Sequence, residues 1–118
     1  MDARRIGIVG PCSSGKSTLA RALRAQGYHV KEIMQEHSAA PAMWKRISNP
    51  DVLIYLDVSM DVAAQREGLE QPSSWWVEER EVRLAHARSH SDLFIDTSTL
   101  TPAEVLAQVI QFLSSSGA

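Results

Sequence analysis

Residues 10–18 read Gly-Pro-Cys-Ser-Ser-Gly-Lys-Ser-Thr and satisfy the pattern G-x-x-x-x-G-K-[ST] without a mismatch. An apolar run at residues 6–9 precedes this stretch, and residues 16–26 after it carry leucine and alanine at helical spacing. The pattern therefore lies between a predicted strand and a predicted helix, where backbone N–H groups can form a nest for an anion. It predicts a phosphate-binding loop.

Individual positions of this loop have distinct expected roles. Lys16 would reach the β- and γ-phosphates of a nucleotide, the Ser17 hydroxyl would bind Mg²⁺, and Thr18 would lie near the α-phosphate. Gly15 would allow the backbone to approach the ligand closely. The alternative is a strand-to-helix turn that binds nothing. The predicted nucleotide-binding residues are Gly10, Ser13, Ser14, Gly15, Lys16, Ser17 and Thr18.

The rest of the chain alternates short apolar runs with helix-period stretches, which is typical of a parallel sheet wrapped by helices. Residues 52–56 are apolar throughout, which predicts a central strand buried on both faces. Further strands are predicted at residues 28–34 and 92–96. Further helices are predicted at residues 41–47, 59–67 and 75–90, and from 102 onward.

The predicted fold class is α/β, with a small, mainly parallel sheet of about four strands flanked by helices. A single domain is expected to span residues 1–118, because domains of about 100 to 150 residues are the commonest. Thr101 and Glu104 have the spacing of a capping box, with Pro102 at the first helical position. These three residues predict where the last helix begins.

Composition excludes several classes of protein. The chain is 44% hydrophobic with a net charge of −2, which is incompatible with intrinsic disorder. Its longest uninterrupted apolar run, residues 52–56, is too short for a membrane span. The single cysteine rules out an internal disulfide and suits a reducing, cytoplasmic location. Near-neutral charge argues against a general nucleic-acid binder, so no nucleic-acid or membrane partner is expected.

The glycine-rich loop, residues 50–58 (PDVLIYLDV) and residues 92–97 (DLFIDT) together resemble the P-loop kinases of nucleosides, nucleotides and other small metabolites. Thymidylate, dephospho-CoA and nicotinamide-riboside kinases have similar segments in the same order. The resemblance implies a three-layer P-loop NTPase fold, ATP and Mg²⁺ as cofactors, and transfer of the γ-phosphate to a small-molecule acceptor. These kinases carry a further strand and helices where this chain has only residues 38–49, so the chain resembles a version shortened in the middle.

Two carboxylates are candidates for the chemistry that the resemblance implies. Asp57 ends an apolar strand, so it would either bind the metal together with Ser17 or have a structural role at the strand end. Glu36 follows the second strand, where related kinases place a substrate-binding or base carboxylate. It would accept or orient the proton of the attacking hydroxyl. The alternative for Glu36 is an ordinary exposed glutamate.

The segment at residues 74–90 resembles a kinase lid, and we call it the lid segment. Lid arginines close over the phosphates and stabilise the charge that develops during transfer. Arg66 matches the arginine that commonly precedes such a lid, and Arg80 lies within it, so both are expected to act in catalysis. A solvated helix of mixed charge is the alternative.

Several remaining features have a chemical and a structural interpretation. His86 and His90, followed by Asp92, have a spacing that a metal site would use, although no further cluster supports it. Trp75 and Trp76 either stack on a base or anchor the start of a helix. Residues 97–99 follow the last strand, where related kinases hold the adenine ring.

The activity that this reasoning favours is phosphoryl transfer from ATP to a nucleoside, nucleotide or related metabolite. The rival interpretation is a nucleotide-binding regulatory module, or a slow ATPase that lacks an acceptor site. The absence of an N-K-x-D motif counts against a GTPase. The acceptor has no recognisable motif, and a homodimer is compatible with the small core.

Overall fold

Four strands form one all-parallel sheet in a computed structural model of the chain, in the order β2-β1-β3-β4. They are β1 (Arg5–Val9), β2 (His29–Glu32), β3 (Val52–Asp57) and β4 (Leu93–Asp96). The structure describes residues 2–71 and 73–116. The predicted small parallel sheet of about four strands is confirmed. Because β2 and β3 lie on opposite sides of β1, the strand order reverses beside β1, where open α/β sheets place their ligands.

Apolar side chains cover both faces of the sheet. On β3, Ile54 and Leu56 face a core shared with helices α1 (Lys16–Ala25) and α5 (Pro102–Ser116). Tyr55, between them, faces the opposite side and packs in a second core with Trp44, Leu84 and Ala87. All six residues of β3 are buried, so the prediction of a central strand is confirmed.

The lid segment departs from the single helix predicted there. It consists of α3 (Ser74–Glu78), a π-helical turn (Glu79–Arg83) and α4 (Ala85–Ser89). The backbone N–H of Leu84 donates to the Glu79 carbonyl at 2.9 Å, five residues back. This wider turn shifts the phase of the helix, so that both Glu79 and Leu84 are buried. A charge-rich sequence pattern gives no signal for such a turn.

The shortened middle also differs from its prediction. The sequence predicts a short α-helix at residues 41–47, whereas the structure has a π-helical turn at Trp44–Ser48. The fully buried side chain of Gln35 holds this region in place. Its Oε1 accepts from the Trp44 backbone N–H at 2.8 Å, and its Nε2 donates to the carbonyls of Ala40 and Arg83. One amide therefore links the middle of the chain to the lid segment.

Helix α2 (Met60–Glu67) connects β3 to the lid segment, and α5 closes the fold. The predicted capping box of α5 is confirmed, since Thr101 N–H donates to Glu104 Oε1 at 2.8 Å and Glu104 N–H donates to Thr101 Oγ1 at 3.2 Å. Hydrogen bonds from the backbone N–H and the side chain of Thr101 lower the pKa of the Glu104 carboxylate. Within residues 2–71 and 73–116, no helix combines the length and apolar character that crossing a bilayer requires.

Candidate nucleotide site

The glycine-rich loop leaves β1 at its carboxyl end and enters α1 at Lys16. A Cβ atom at Gly10 would lie 2.2 Å from the Leu56 carbonyl oxygen and 2.7 Å from Ser14 Oγ, so the chain tolerates only glycine there. Gly15 has a φ of 100°, a left-handed conformation that favours glycine. The loop is thus folded tightly against β3, with its conformation set by backbone contacts.

Lys16 lies inside this loop and is only 6% exposed. Its Nζ donates to the carbonyls of Gly10 at 2.8 Å and Pro11 at 3.1 Å. The same Nζ lies 2.9 Å from Glu36 Oε2 in a buried ion pair. The ammonium group therefore has three protein partners, two of which belong to the loop itself.

Glu36 is only 1% exposed, which rules out the interpretation of an ordinary surface glutamate. Its second oxygen, Oε1, is buried and has no hydrogen-bond partner among the described residues. Buried carboxylate oxygens are normally paired, because leaving one unsatisfied costs on the order of 1–3 kcal/mol. The structure therefore places the predicted base carboxylate next to Lys16, with one oxygen left for another partner.

The Ser17 hydroxyl donates to Glu32 Oε1 at 2.7 Å. Sequence reasoning missed Glu32, although it ends β2 and thus lies at the carboxyl edge of the sheet beside β1. A serine hydroxyl and a carboxylate are hard oxygen donors of the kind that Mg²⁺ prefers. These two side chains fit the predicted magnesium ion in donor chemistry.

Asp57, the carboxylate predicted to join Ser17 at the metal, is paired with Arg80. Arg80 Nε and Nη2 donate to the two carboxylate oxygens at 2.9 and 2.8 Å. This bidentate contact raises the pKa of Arg80, which also pairs with Glu81. Asp57 thus has a structural contact at the strand end, through which Arg80 ties the lid segment to β3, and its place at the metal stays a prediction.

Arg66, which matches the arginine that precedes a kinase lid, lies against the glycine-rich loop. Its Nη1 donates to the Ser13 carbonyl at 2.8 Å, and its Nη2 donates to the Thr97 carbonyl at 2.7 Å. The Thr97 hydroxyl, which is buried, lies 2.8 Å from the Ser14 carbonyl oxygen, to which it donates. The end of α2, the loop and the segment after β4 are therefore held together by polar contacts.

A pocket of about 390 Å³ opens between these elements. Its volume is within the range of about 300–1,000 Å³ that small-molecule sites occupy. Residues 13–15 of the loop line one side, and apolar residues of α1 and α5, such as Leu19 and Val105, line another. The lining residues are Ser13, Ser14, Gly15, Thr18, Leu19, Arg66, Thr97, Leu100, Pro102 and Val105. Of the predicted adenine segment, residues 97–99, it is Thr97 that lines this pocket.

Cys12 faces the lid segment. Its backbone N–H donates to Glu79 Oε1 at 3.3 Å, and its carbonyl accepts from Trp76 Nε1 at 3.1 Å. Burial together with the hydrogen bond to Glu79 raises the pKa of the Cys12 thiol to about 11. Trp76 therefore anchors α3 on the loop, which agrees with the structural interpretation of the tryptophan pair, whereas Trp75 is exposed.

The histidines considered for a metal site have other partners. His86 Nδ1 accepts from Trp44 Nε1 at 3.0 Å, and its ring stacks on His90 at 4.2 Å between centroids. Asp92 Oδ2 accepts from the Leu53 backbone N–H at 2.8 Å and thereby joins β4 to β3. These contacts are structural.

No protein-family model matches the chain, and no curated protein matches it.

Proposed function

We propose that this protein binds ATP with Mg²⁺ at the glycine-rich loop and transfers the γ-phosphate to a small hydroxyl-bearing acceptor. The observation that carries the proposal is the position of the buried Lys16 ammonium inside a tight loop that also lines a pocket large enough for a nucleobase. The all-parallel sheet, with its strand order reversing at β1, supports the three-layer P-loop fold that the resemblance to P-loop kinases implies.

The loop supplies the phosphate contacts in this proposal. Lys16 exchanges its bonds to the carbonyls of Gly10 and Pro11 for bonds to phosphate oxygens, which are stronger because the acceptor is charged. The buried Ser14 hydroxyl, which has no hydrogen-bond partner among the described residues, gains an acceptor. The base enters the pocket beside Arg66 and Thr97.

Ser17 and Glu32 would hold the magnesium ion, because the Ser17 hydroxyl oxygen and the Glu32 carboxylate oxygen are already within hydrogen-bond distance of each other. When bound, the ion neutralises phosphate charge. Catalysis by the chain itself is then positioning and charge stabilisation, which fits a site with few reactive groups.

Glu36 is the proposed acceptor-side carboxylate. The acceptor oxygen attacks the γ-phosphorus, the bond from that phosphorus to the β–γ bridging oxygen breaks, and ADP leaves. The acceptor's proton goes to Glu36, whose Oε1 is free of other donors among the described residues. Glu36 is buried, so the acceptor enters only when the lid segment is displaced. The ion pair between Arg80 of the lid segment and Asp57 of β3 has to break for this movement.

A regulatory module or a slow ATPase is the second candidate, and a specific observation favours it. Glu36 is engaged by Lys16, Asp57 is engaged by Arg80, and Gln35 holds the shortened middle against the lid segment. The acceptor side is thus occupied by the protein's own side chains. In this candidate, water is the acceptor or no transfer occurs.

The test is calorimetric titration with MgATP of the wild-type chain and of Lys16→Ala, with the exposed Lys31→Ala as the matched control. Losing charge-assisted bonds worth about 1.5–3 kcal/mol predicts binding weaker by about 10- to 100-fold for Lys16→Ala, and unchanged binding for Lys31→Ala. Equal affinity of folded Lys16→Ala and wild type would contradict the proposal.

Lys16→Ala also leaves Glu36 buried without its cation, so the double variant Lys16→Ala/Glu36→Gln controls for loss of stability. ADP release is then measured with and without pooled nucleosides and nucleotides. Acceptor-stimulated release that Glu36→Gln abolishes, with ATP affinity retained, identifies the kinase. Binding without stimulated release identifies the second candidate.

A further inference from the structure

Three side chains of types that bind metals come together beside the glycine-rich loop. The proposed phosphoryl transfer uses Glu36 among them, but not Cys12 or His37. The Cys12 sulfur, a Glu36 carboxylate oxygen and a His37 ring nitrogen all lie within 4.8 Å of one another. His37 Nε2 is 3.9 Å from Glu36 Oε2. The buried Glu36 Oε1 has no hydrogen-bond partner among the described residues, and it is the oxygen left to bind an ion because Oε2 pairs with Lys16.

The spacing suits a single tetrahedral ion. With metal–ligand distances of about 2.0–2.3 Å, the ligand atoms of such a site lie roughly 3.3–3.8 Å apart. Closing the observed spacing of up to 4.8 Å therefore needs movements of about 1 Å. His37 is 52% exposed and can rotate without disturbing the core.

We infer that Cys12, Glu36 and His37 bind a divalent transition metal of the zinc class, with water in the fourth position. Sulfur and imidazole ligands favour zinc over magnesium, whereas the Ser17–Glu32 pair offers oxygen only. On binding, the Cys12 S–H bond is replaced by a sulfur–metal bond and the proton passes to the buffer. No oxidation state changes.

This site shares Glu36 with Lys16. The ion and the ammonium group compete for the same carboxylate, although Lys16 keeps its two carbonyl partners when Glu36 turns to the metal. Metal binding therefore neutralises Glu36 and alters the charge balance of the loop. Removing the cation of Lys16 is expected to strengthen metal binding.

Cobalt(II) is the probe, because it takes zinc sites and is coloured. The metal-free protein is titrated with Co²⁺ under argon, without nucleotide. We expect a thiolate-to-cobalt charge-transfer band and the intense visible bands of tetrahedral cobalt, which one equivalent of Zn²⁺ abolishes and excess Mg²⁺ does not. Since Cys12 is the only cysteine, the charge-transfer band identifies it as a ligand.

Variants test the other two ligands. His37→Ala is expected to weaken Co²⁺ binding at least tenfold, while the matched control His29→Ala, at the start of β2, leaves the titration unchanged. Glu36→Gln is expected to weaken it similarly, and Lys16→Met to strengthen it. Circular dichroism of each variant establishes that it is folded.

Absence of the charge-transfer band in the wild type overturns the inference, as does an unchanged titration of folded His37→Ala or weakened binding by folded Lys16→Met. The experiment contains no nucleotide, so its failure leaves the proposed function standing. Equally, failure of ATP to bind in the calorimeter leaves the metal site standing.

Discussion

The two sides of the glycine-rich loop are built differently. Toward Arg66 and Thr97 the loop borders an open pocket of about 390 Å³. Toward Glu36 and the lid segment, the protein's own side chains fill the space, with Lys16 paired to Glu36 and Arg80 paired to Asp57. The base side is therefore preformed, whereas the transfer side is closed by ion pairs that have to be exchanged.

The difference has a structural origin. The open side is lined by residues of the loop and by residues of α1 and α5, such as Leu19 and Val105, which belong to the core. The closed side is made of charged side chains that pair with one another, and two of them, Glu36 and Arg80, lie on short helical turns. Rigid walls keep a pocket open, whereas flexible charged side chains collapse onto one another.

Gly10→Ala is expected to have the largest effect, because it affects both sides at once. The new Cβ would lie 2.2 Å from the backbone oxygen of Leu56, which cannot move without shifting β3. We expect a loss of unfolding free energy of about 3 kcal/mol or more and no measurable ATP binding. Urea unfolding and calorimetry measure the two quantities.

Gly68→Ala is the matched control for Gly10→Ala. Gly68 ends α2 with a φ of 74°, and a Cβ atom added there would have no neighbour within 4 Å among the described residues. Strain alone is expected to cost about 1 kcal/mol, with ATP binding intact. Equal effects of the two substitutions would show that the contact with Leu56 is unimportant.

Arg80→Ala tests the closed side and ranks second. Removing the guanidinium leaves the Asp57 carboxylate buried without its cation, which we expect to cost about 2–3 kcal/mol in unfolding free energy. Adding Asp57→Asn removes the buried charge, so the double variant should recover part of the loss. If Arg80 acts only as a clamp, ATP affinity stays unchanged. An equal fall in acceptor-stimulated ADP release in the single and the double variant would instead support its predicted role at the phosphates, because both variants lack the guanidinium.

Thr97→Val tests the open side and is expected to have a smaller effect. The substitution keeps the shape but removes the hydroxyl that donates to the Ser14 carbonyl and accepts from Arg66 Nη1 at 3.1 Å. A loss of about 1 kcal/mol, or roughly fivefold in ATP affinity, is expected. Thr99→Val, two residues further on and exposed, is the control. Equal affinities of the two variants would exclude Thr97 from the pocket's function.

Acidification is expected to have the smallest effect and to act outside both sides of the loop. Hydrogen bonds and nearby cations lower the pKa of Asp51, Asp96 and Glu104, and that of Asp2 to about 2. A carboxylate whose pKa is lowered by folding stabilises the fold at pH values above its pKa in the unfolded chain. This contribution is lost as the pH falls through its pKa in the folded chain. Stability should therefore decrease gradually below about pH 4.5.

Urea unfolding at several pH values between about 6 and 3 measures this decrease. Asp51→Asn removes a carboxylate that accepts from the Arg5 backbone N–H at 2.7 Å, so its pH dependence should be shallower than that of the wild type. Asp51, Asp96 and Glu104 are exposed and Asp2 is partly exposed, so solvent screens these groups and keeps the effect small. An identical pH profile for Asp51→Asn would exclude Asp51 as a source of the acid sensitivity.

Local patterns predicted much of the fold because their causes are local. The apolar run of β3 predicts a central strand, and Thr101 with Glu104 predicts the start of α5 from residues three apart. The π-helical turn at Glu79–Arg83 was missed, because it exists to bury Glu79 and Leu84 against distant elements. The strand at residues 28–34 is shorter than predicted, since β2 lies at the sheet edge and pairs with β1 alone.

Local sequence is enough to specify the strand–loop–helix unit around residues 10–18 and the class of the sheet, because hydrophobic periodicity and glycine spacing act over a few neighbouring residues. Which carboxylate each cation or hydroxyl meets depends on how the whole chain folds. The carboxyl ends of parallel strands converge at one edge of the sheet. For this reason Glu32 accepts a hydrogen bond from Ser17, and ion pairs join Glu36 to Lys16 and Asp57 to Arg80. Residues distant in sequence become neighbours there, and no local pattern carries that information.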